Sequence, residues 1–390
     1  MNITIFEDKH DGFLEPFSIN HSYIEMRVGA FTNFDRIRLI YPNAKLTIIV
    51  NDVLKDIIQE RFPDYNVNPT HVPKGICLNA SAIFKNEHSD LIHREDALSN
   101  NKRLISFHLG SETAVQKFND LIEENIDITK TCDIDIINNL WDIFDIAEKM
   151  LSYDYRNFHY TDNYISHHSL IRINEEYVYI GNNCTIKAGV ILDATSGPII
   201  IDNNAIIDNG SIIEGPSYIG RSSYISPNSI VRKNNIIGPM CKIGGEVSCC
   251  NILGYSNKVH DGFLGHSYVG EWVNIGAGTN NSNLKNNYGI VKIQFRDNIL
   301  NTGLQFLGSF IGDYTRISIG TNLNTGSYIS FGSNLFNHEF TTKYIPSFSW
   351  GGMNERVKIE LFIDTVIKMK KRRSLKLSLI EEDLIKLLYK

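Results

Sequence analysis

The sequence predicts an α/β N-terminal domain, an all-β solenoid of six-residue repeats, and C-terminal helices. Three observations carry this reading. Short apolar runs alternate with helical patterns over the first 150 residues. Aliphatic residues recur at every sixth position from about residue 178. In the tail, from residue 352, apolar spacing returns to the helical period.

In the N-terminal part, residues 3–6, 46–50 and 104–107 are apolar runs of strand length. Asn51 is placed to cap a helix through Val53, Leu54, Ile57 and Ile58, which Pro63 ends. A second helix is expected after Thr131, with Ile137, Leu140, Trp141, Phe144, Met150 and Leu151 on one face. Strands alternating with helices favour a mostly parallel sheet. The expected domain spans residues 1–155.

The repeat region is expected over residues 176–340. Ile201, Ile207, Ile213, Ile219, Ile225, Val231, Ile237 and Ile243 hold an unbroken step of six. Upstream, Ile180, Ile186 and Leu192 keep the step, and a three-residue insertion follows. Downstream, Val269 and Ile275 hold it, as do Ile311, Ile317, Leu323, Ile329 and Leu335. Four positions after these aliphatics come small or compact residues, including Ala205, Ser211, Ser217, Ser223, Ser229, Asn235 and Cys241. A period of six fits neither a helix nor a hairpin ladder. It fits a coil in which each hexad supplies one short strand and a corner, with the aliphatic side chain turned to the axis.

Residues 276–306 interrupt the repeat and read as an extruded, function-bearing loop. The solenoid is expected to end near Asn337. Ile359, Phe362, Ile363, Val366 and Met369 then share a helical face, and Ser378 with Glu381 makes a capping box for a last helix. The basic run over 368–376 reads as a solvated face, with phosphate binding or trimer packing as the alternatives.

Composition narrows the function. The chain has 390 residues and a formal charge of −6, so nothing biases it toward nucleic acid or an anionic membrane. No apolar run reaches membrane-spanning length, and the N-terminus lacks a signal-peptide pattern. Six cysteines over this length make no disulfide framework, which points to a reducing, cytoplasmic setting.

Residues 252–279 read ILGYSNKVHDGFLGHSYVGEWVNIGAGT. This stretch resembles the acyltransferase half of the bifunctional N-acetylglucosamine-1-phosphate uridylyltransferase/glucosamine-1-phosphate acetyltransferase family. The further segments NTGLQF and IPSFSWGG are similar to a divergent sugar nucleotidyltransferase subgroup of that family. The resemblance implies a nucleotidyltransferase-like α/β domain joined to a left-handed parallel β-helix that trimerises, with His260 facing a groove shared by two subunits. It implies that His260 is the catalytic base, with Asn274 beside it. Phe263 stands where the family has a tyrosine. With Asn283 and Lys258 it forms the candidate substrate-binding set, and Gly276, Ala277, Gly278 and Thr279 would lie along the arm of acetyl-CoA or another acyl-CoA.

The chemistry is coherent. A sugar amine or hydroxyl is a weak nucleophile, and an imidazole can take its proton as it attacks a thioester. Backbone N–H groups of a Gly-rich corner could stabilise the resulting oxyanion. Cys249 and Cys250 replace the family's paired lysines, which alters the expected phosphate grip. They read as small hydrophobes, and with His266 and His168 they form no recognised zinc spacing.

The N-terminal domain departs further from the family pattern, with one glycine, Gly12, in the loop after its first strand. Within residues 16–29, Arg27 is either a phosphate-binding residue or a structural ion-pair residue. Asp8 is a weak candidate for Mg2+ carrying a nucleoside triphosphate. The domain either binds nucleotide through a modified loop or serves as a recognition or packing domain. The expected activity is therefore sugar-nucleotide biosynthesis: nucleotidyl transfer to a sugar 1-phosphate, with acyl transfer in the β-helix. One live site alone, or a non-catalytic sugar-nucleotide-binding scaffold, remain the alternatives.

Overall fold

A computed structural model describes all residues except 101, 102, 124, 125, 127, 337–340, 353 and 354. The N-terminal sheet comprises β1 (Asn2–Phe6), β2 (Lys45–Ile49), β3 (Asn66–Val67), β5 (Gly75–Asn79), β6 (Ala97–Asn100), β7 (Arg103–Leu109) and β9 (Lys130–Thr131). A small antiparallel pair, β4 (His71–Val72) with β8 (Thr113–Ala114), lies apart. The sheet order is β3-β2-β1-β5-β7-β6-β9. Pairings on β1, β2 and β3 are parallel, whereas β7 runs antiparallel to both β5 and β6. The expected mostly parallel sheet is thus mixed at one edge.

Helices α1 (Asn33–Ile40), α2 (Lys55–Arg61), α3 (Ser89–Arg94), α4 (Val115–Glu123) and α5 (Asp142–Asp154) complete the domain. Asn51 caps as expected, its side-chain oxygen accepting from the Val53 N–H at the short turn that leads into α2. The helix expected after Thr131 begins only at Asp142. Upstream, Ile134 and Ile136 pack in the cluster around β1, while Ile137, Leu140 and Trp141 enter a second one. A chain crossing between two cores cannot keep one helical face. The Asp142 carboxylate then accepts from the N–H groups of Asn138 and Asn139 and folds the turn that starts α5.

From Ile165 onward the chain coils through three stacked parallel sheets of nine, six and nine strands. Face one contains Thr185–Ile186, Ile206–Ile207, Lys242–Ile243, Asn257–Lys258 and Asn274–Ile275. Face two contains Ile191–Asp193, Ile212–Glu214 and Phe263–Gly265, and face three contains Ile199–Ile201, Ser217–Ile219 and Tyr268–Val269. All the aliphatics found in phase point inward and form one core column, from Ile180 to Leu335. Corners turn through residues of left-handed conformation, among them Asn183, Asn204, Asn228 and Asn234, a conformation that asparagine tolerates better than most residues. The compact residues Ala205, Ser211, Ser217, Ser223, Ser229, Asn235 and Cys241 are fully buried.

Faces two and three differ in what covers them. On face three the outward residues Ile200, Tyr218, Ile236, Tyr268, Phe310 and Tyr328 are buried as well, because the N-terminal domain lies on them. Residues 276–306 do not simply extrude. Their hairpin, Lys292–Phe295 with Asn298–Asn301, packs Ile293 against Phe17, Trp141, Phe310 and Tyr328 and straps the two parts together. The expected end near Asn337 lies outside the described residues, and Tyr344–Ile345 still pairs with Ser327–Ile329.

Helices α6 (Ile359–Lys371) and α7 (Leu379–Tyr389) close the chain. The Ser378 side chain caps α7 by accepting from the Glu381 N–H. Within the basic run Lys370 is buried, paired with Glu381 at 2.6 Å, while its neighbours Lys371 and Arg372 are exposed. Among the described residues no helix is long and apolar enough to cross a membrane.

A buried polar cluster joins the N-terminal domain to the solenoid. His21 Nε2 lies 2.9 Å from Asp313 Oδ2 and its Nδ1 lies 3.4 Å from Glu25 Oε2. Arg61 donates to both Glu25 oxygens at 3.0 Å, and its Nη1 lies 3.2 Å from His21 Nδ1. Burial by itself would lower the imidazolium pKa. The Asp313 and Glu25 carboxylates outweigh it and raise the pKa to about 10. A group whose folded pKa lies above its unfolded value of about 6.5 stabilises fully below that pH and loses the contribution as pH rises toward 10. His21→Leu is therefore expected to cost a few kcal/mol near pH 6 and progressively less toward pH 10. Unfolding midpoints of both proteins across that range check this; a constant difference contradicts it.

Candidate functional site

The corner between faces one and two stacks four chain segments. Residues 244–245, 260–262, 276–279 and 318–321 lie one above another, tied by Gly278 N–H to Asp261 O at 3.3 Å and Gly320 N–H to Ala277 O at 2.8 Å. Two glycines shape this column. Gly262 has φ +106, and a Cβ there would lie 2.2 Å from the Thr279 carbonyl oxygen. Gly278 has φ +69, with nothing nearer a Cβ than Gly320 at 3.8 Å. Backbone therefore approaches backbone at Gly262, whereas Gly278 and Gly320 leave an open spot with no side chain beside it. That spot lies within residues 276–279, where Gly276 packs on the backbone of Ser318 and Ile319 and Thr279 is buried.

His260 sits at the head of this corner, exposed, and its imidazole makes no hydrogen bond among the described residues. Asn274 is exposed on the outer surface of face one, in register between Asn257 and Arg316. Phe263 and Asn283 come together on face two, since the Phe263 ring and the Asn283 amide both close over Gly265.

His266, at the far end of the same strand, is the residue that sequence reasoning passed over. Its Nδ1 lies 2.9 Å from Asn283 Nδ2, and its ring stacks on Phe306 at 5.5 Å. With the amide nitrogen as donor, Nδ1 accepts and the ring proton rests on Nε2. Burial lowers its pKa, so it is held neutral as a hydrogen-bond donor. The only clue in the sequence was its place within the motif, six residues after His260.

Lys258 has a different setting from a surface phosphate grip. It occupies an inward hexad position, in register with Ile243, and is 3% exposed. Its ammonium donates to the carbonyl oxygens of Gly244 at 2.8 Å and His260 at 3.1 Å, so it ties two levels of the corner. Burial depresses its pKa to about 8, the weaker pull of Cys250 and Asp261 notwithstanding. The unfolded chain holds this proton to about pH 10.5, so Lys258 gains relative stability as pH rises from 8 to 10.5. Relative to Lys258→Met, the wild type should gain about 3 kcal/mol across that window. Parallel denaturant unfolding of the two proteins measures this, and a flat difference would refute it. Cys250 is buried in the same core and Cys249 is half-buried, both as free thiols.

In the N-terminal domain, the crevice at the carboxyl ends of β1 and β5, where the strand order reverses, is the expected ligand position. Here its polar groups are paired with one another, beside a cavity of about 710 Å³ that Asp8 and Arg103 both line. Arg103 pairs with Asp8 at 2.6 and 2.8 Å and also donates to Ser81 Oγ, Asn138 Oδ1 and the Ile137 carbonyl. Both Asp8 oxygens are thereby taken, and the two side chains are 8% and 9% exposed. Asp8 so arranged does not fit a divalent cation.

His21, Glu271 and Asp313 do bring ligand-type atoms within 4.8 Å of one another. A protonated imidazole offers a cation no lone pair, and the Asp313 oxygens already accept from Asn20, His21 and the Glu271 N–H. This cluster is an ion-pair network.

Arg27 lies elsewhere. It lines a cavity of about 600 Å³ between the N-terminal domain and the solenoid, donates to the Ala30 carbonyl, and sits 5.5 Å over the Tyr218 ring. Among the described residues it is in no ion pair. The structural ion-pair alternative for Arg27 thus finds no partner.

Residues 3–161 match the family described as sugar nucleotidyl transferase. Among solved structures, the chain is similar to a histidine-to-alanine variant of GDP-perosamine N-acetyl transferase from Caulobacter crescentus, determined with CoA and GDP-perosamine. That likeness has 12% identity and a TM-score of 0.12, over 75% of this chain and 88% of the other. No curated protein matches the chain. Residues 3–161 are thus similar to sugar nucleotidyl transferases, and the solenoid that follows is a parallel β-helix.

Proposed function

We propose that this chain is a sugar-nucleotide-related transferase whose working site is the β-helix corner, where an acyl group passes from acyl-CoA to a sugar amine or hydroxyl. The observation that carries this is His260: an exposed imidazole with no hydrogen bond among the described residues, one position before Asp261, whose carbonyl accepts from the Gly278 N–H of the 276–279 segment. The substrate nitrogen or oxygen attacks the thioester carbon while His260 takes its proton. The carbon–sulfur bond then breaks and CoA leaves as the thiol, with the proton returned to sulfur. His266 Nε2–H and Asn283 are placed to hold the acceptor on face two.

A homotrimer belongs to this reading. Face two carries an outward ladder of Ile171, Ile191, Ile212 and Ile230 in register, left partly exposed, which a second copy could cover.

Nucleotidyl transfer to a sugar 1-phosphate is the second reading, favoured by the match over residues 3–161. The Asp8–Arg103 pairing stands against it. One assay separates the two. Release of CoA thiol from acetyl-CoA in the presence of amino-sugar phosphates supports the first reading. Release of pyrophosphate from a nucleoside triphosphate and a sugar 1-phosphate with Mg2+, and no thiol, replaces it with the second.

A further inference from the structure

The cavity beside Arg27 is built by parts far apart in the chain. Arg27, Phe31 and Arg38 come from the first 40 residues, Phe158 from the segment after α5, and Tyr218 and Arg221 from the solenoid. Neither part has the complete set without the other. A smaller space of about 210 Å³, reaching Glu271 and His21, shares Arg27 with it.

The charge at this site is unbalanced. Among the described residues none of Arg27, Arg38 and Arg221 is in an ion pair. The wall also holds two acids, Asp35 and Asp202, which accept only from neutral donors and keep their charge, so three guanidinium groups over two carboxylates leave a net +1. Asp35 caps α1 by accepting from the Thr32 N–H and hydroxyl. Asp202 accepts from the Tyr218 hydroxyl at 2.9 Å and the Asn203 N–H at 2.7 Å. Three guanidinium groups converging on one cavity call for an anion with several oxygens, because the planar fork of arginine matches phosphate.

The remaining wall is aromatic. Phe31 and Phe158 stack with centroids 5.5 Å apart and planes 8° from parallel. Such a surface offers a flat ring a place to stack. A volume of about 600 Å³ at a domain junction is the size and position usual for a small-molecule site.

We propose that this interdomain cleft binds a nucleoside diphosphate group, free or as part of a nucleoside-diphosphate sugar. The pyrophosphate lies across Arg27, Arg38 and Arg221, and the base lies against Phe31 and Phe158. The proposal is independent of acyl transfer at His260, because binding is read without turnover.

The test is calorimetric titration of the full chain with UDP, GDP, ADP and inorganic pyrophosphate. At least one nucleoside diphosphate should bind, and pyrophosphate should bind about tenfold or more weakly. Arg38→Ala and Arg221→Ala alter exposed residues, so the fold should persist, which a melting curve confirms. Each should weaken nucleotide binding about tenfold or more. Phe158→Ala should weaken nucleotide and leave pyrophosphate unchanged. Three results overturn the proposal: no nucleoside diphosphate binds in the millimolar range, pyrophosphate binds as tightly as the nucleotide, or Arg221→Ala leaves nucleotide affinity unchanged.

Discussion

His260→Ala should lower acyl transfer about 10²- to 10⁴-fold, the usual contribution of a positioned general base. The argument rests on what the side chain does not touch. Among the described residues His260 is exposed and hydrogen-bonded only through its backbone carbonyl, to Lys258, so truncation removes no hydrogen bond there. Stability should stay within about 0.5 kcal/mol of the wild type, as for ordinary surface substitutions. In the proposed reading acyl-CoA is held by residues 276–279 rather than by the imidazole, so KM for acyl-CoA should change little while kcat falls. His266→Ala should behave differently. In the proposed reading its Nε2–H holds the acceptor, so the KM for the sugar should rise. Full activity in His260→Ala would eliminate the proposed chemistry, whatever the other variants do.

Arg36→Leu should cost about 3–5 kcal/mol of folding stability, the usual penalty for breaking a buried ion pair from one side. Arg36 is 3% exposed and Asp154 is 0% exposed, with Nη1 2.5 Å from Oδ1 and Nη2 3.0 Å from Oδ2. Burial raises the Asp154 pKa even with Arg36 present, so without its partner the carboxylate would be left charged in an apolar place or forced to protonate. The Arg36→Leu, Asp154→Leu double variant should recover much of the loss, because it removes the stranded charge. Recovery will be incomplete, since Asp154 also accepts from the Ala30 N–H at 2.8 Å. Urea unfolding of the three variants gives the answer, and a single variant within about 1 kcal/mol of wild type would contradict it. The pair also pins residues 28–30, with Arg36 holding the Val28 carbonyl. These residues adjoin Arg27 and Phe31, so nucleotide affinity should fall together with stability.

The hexad pattern carried most of the solenoid, because its rule is local. An aliphatic residue every six positions, with a compact residue four after it, is what one strand and one corner of a coil demand. A further signal went unused. Ile200, Tyr218, Ile236, Tyr268, Phe310 and Tyr328 each precede a core aliphatic by one position, and the first three recur every 18 residues. An outward apolar row on one face of a coil marks a covered face, and here the N-terminal domain covers it. The helix expected after Thr131 shows the converse. Ile137, Leu140, Trp141, Phe144 and Met150 do share one core, but the chain up to Trp141 enters it without a helix, because Ile134 and Ile136 are held in another.

Lys258 marks the boundary between what pattern reveals and what packing decides. Its six-residue distance from Ile252 and Leu264 puts it in phase with the core, yet a lysine reads as surface. Its burial depends on two carbonyl oxygens brought together by adjacent coils. Asp8 likewise reads as a cation ligand until Arg103, from a strand 95 residues away, takes both its oxygens.

Periodicity and the residues 252–279 therefore settled the coil, its core and the stretch that carries the candidate base. Which charges are paired, which face is covered, and that Arg27, Arg38 and Arg221 share one cleft were set by the docking of the two parts. Local rules act over one turn or one hexad, whereas a cleft is made by residues almost 200 positions apart, whose proximity exists only once both cores have formed.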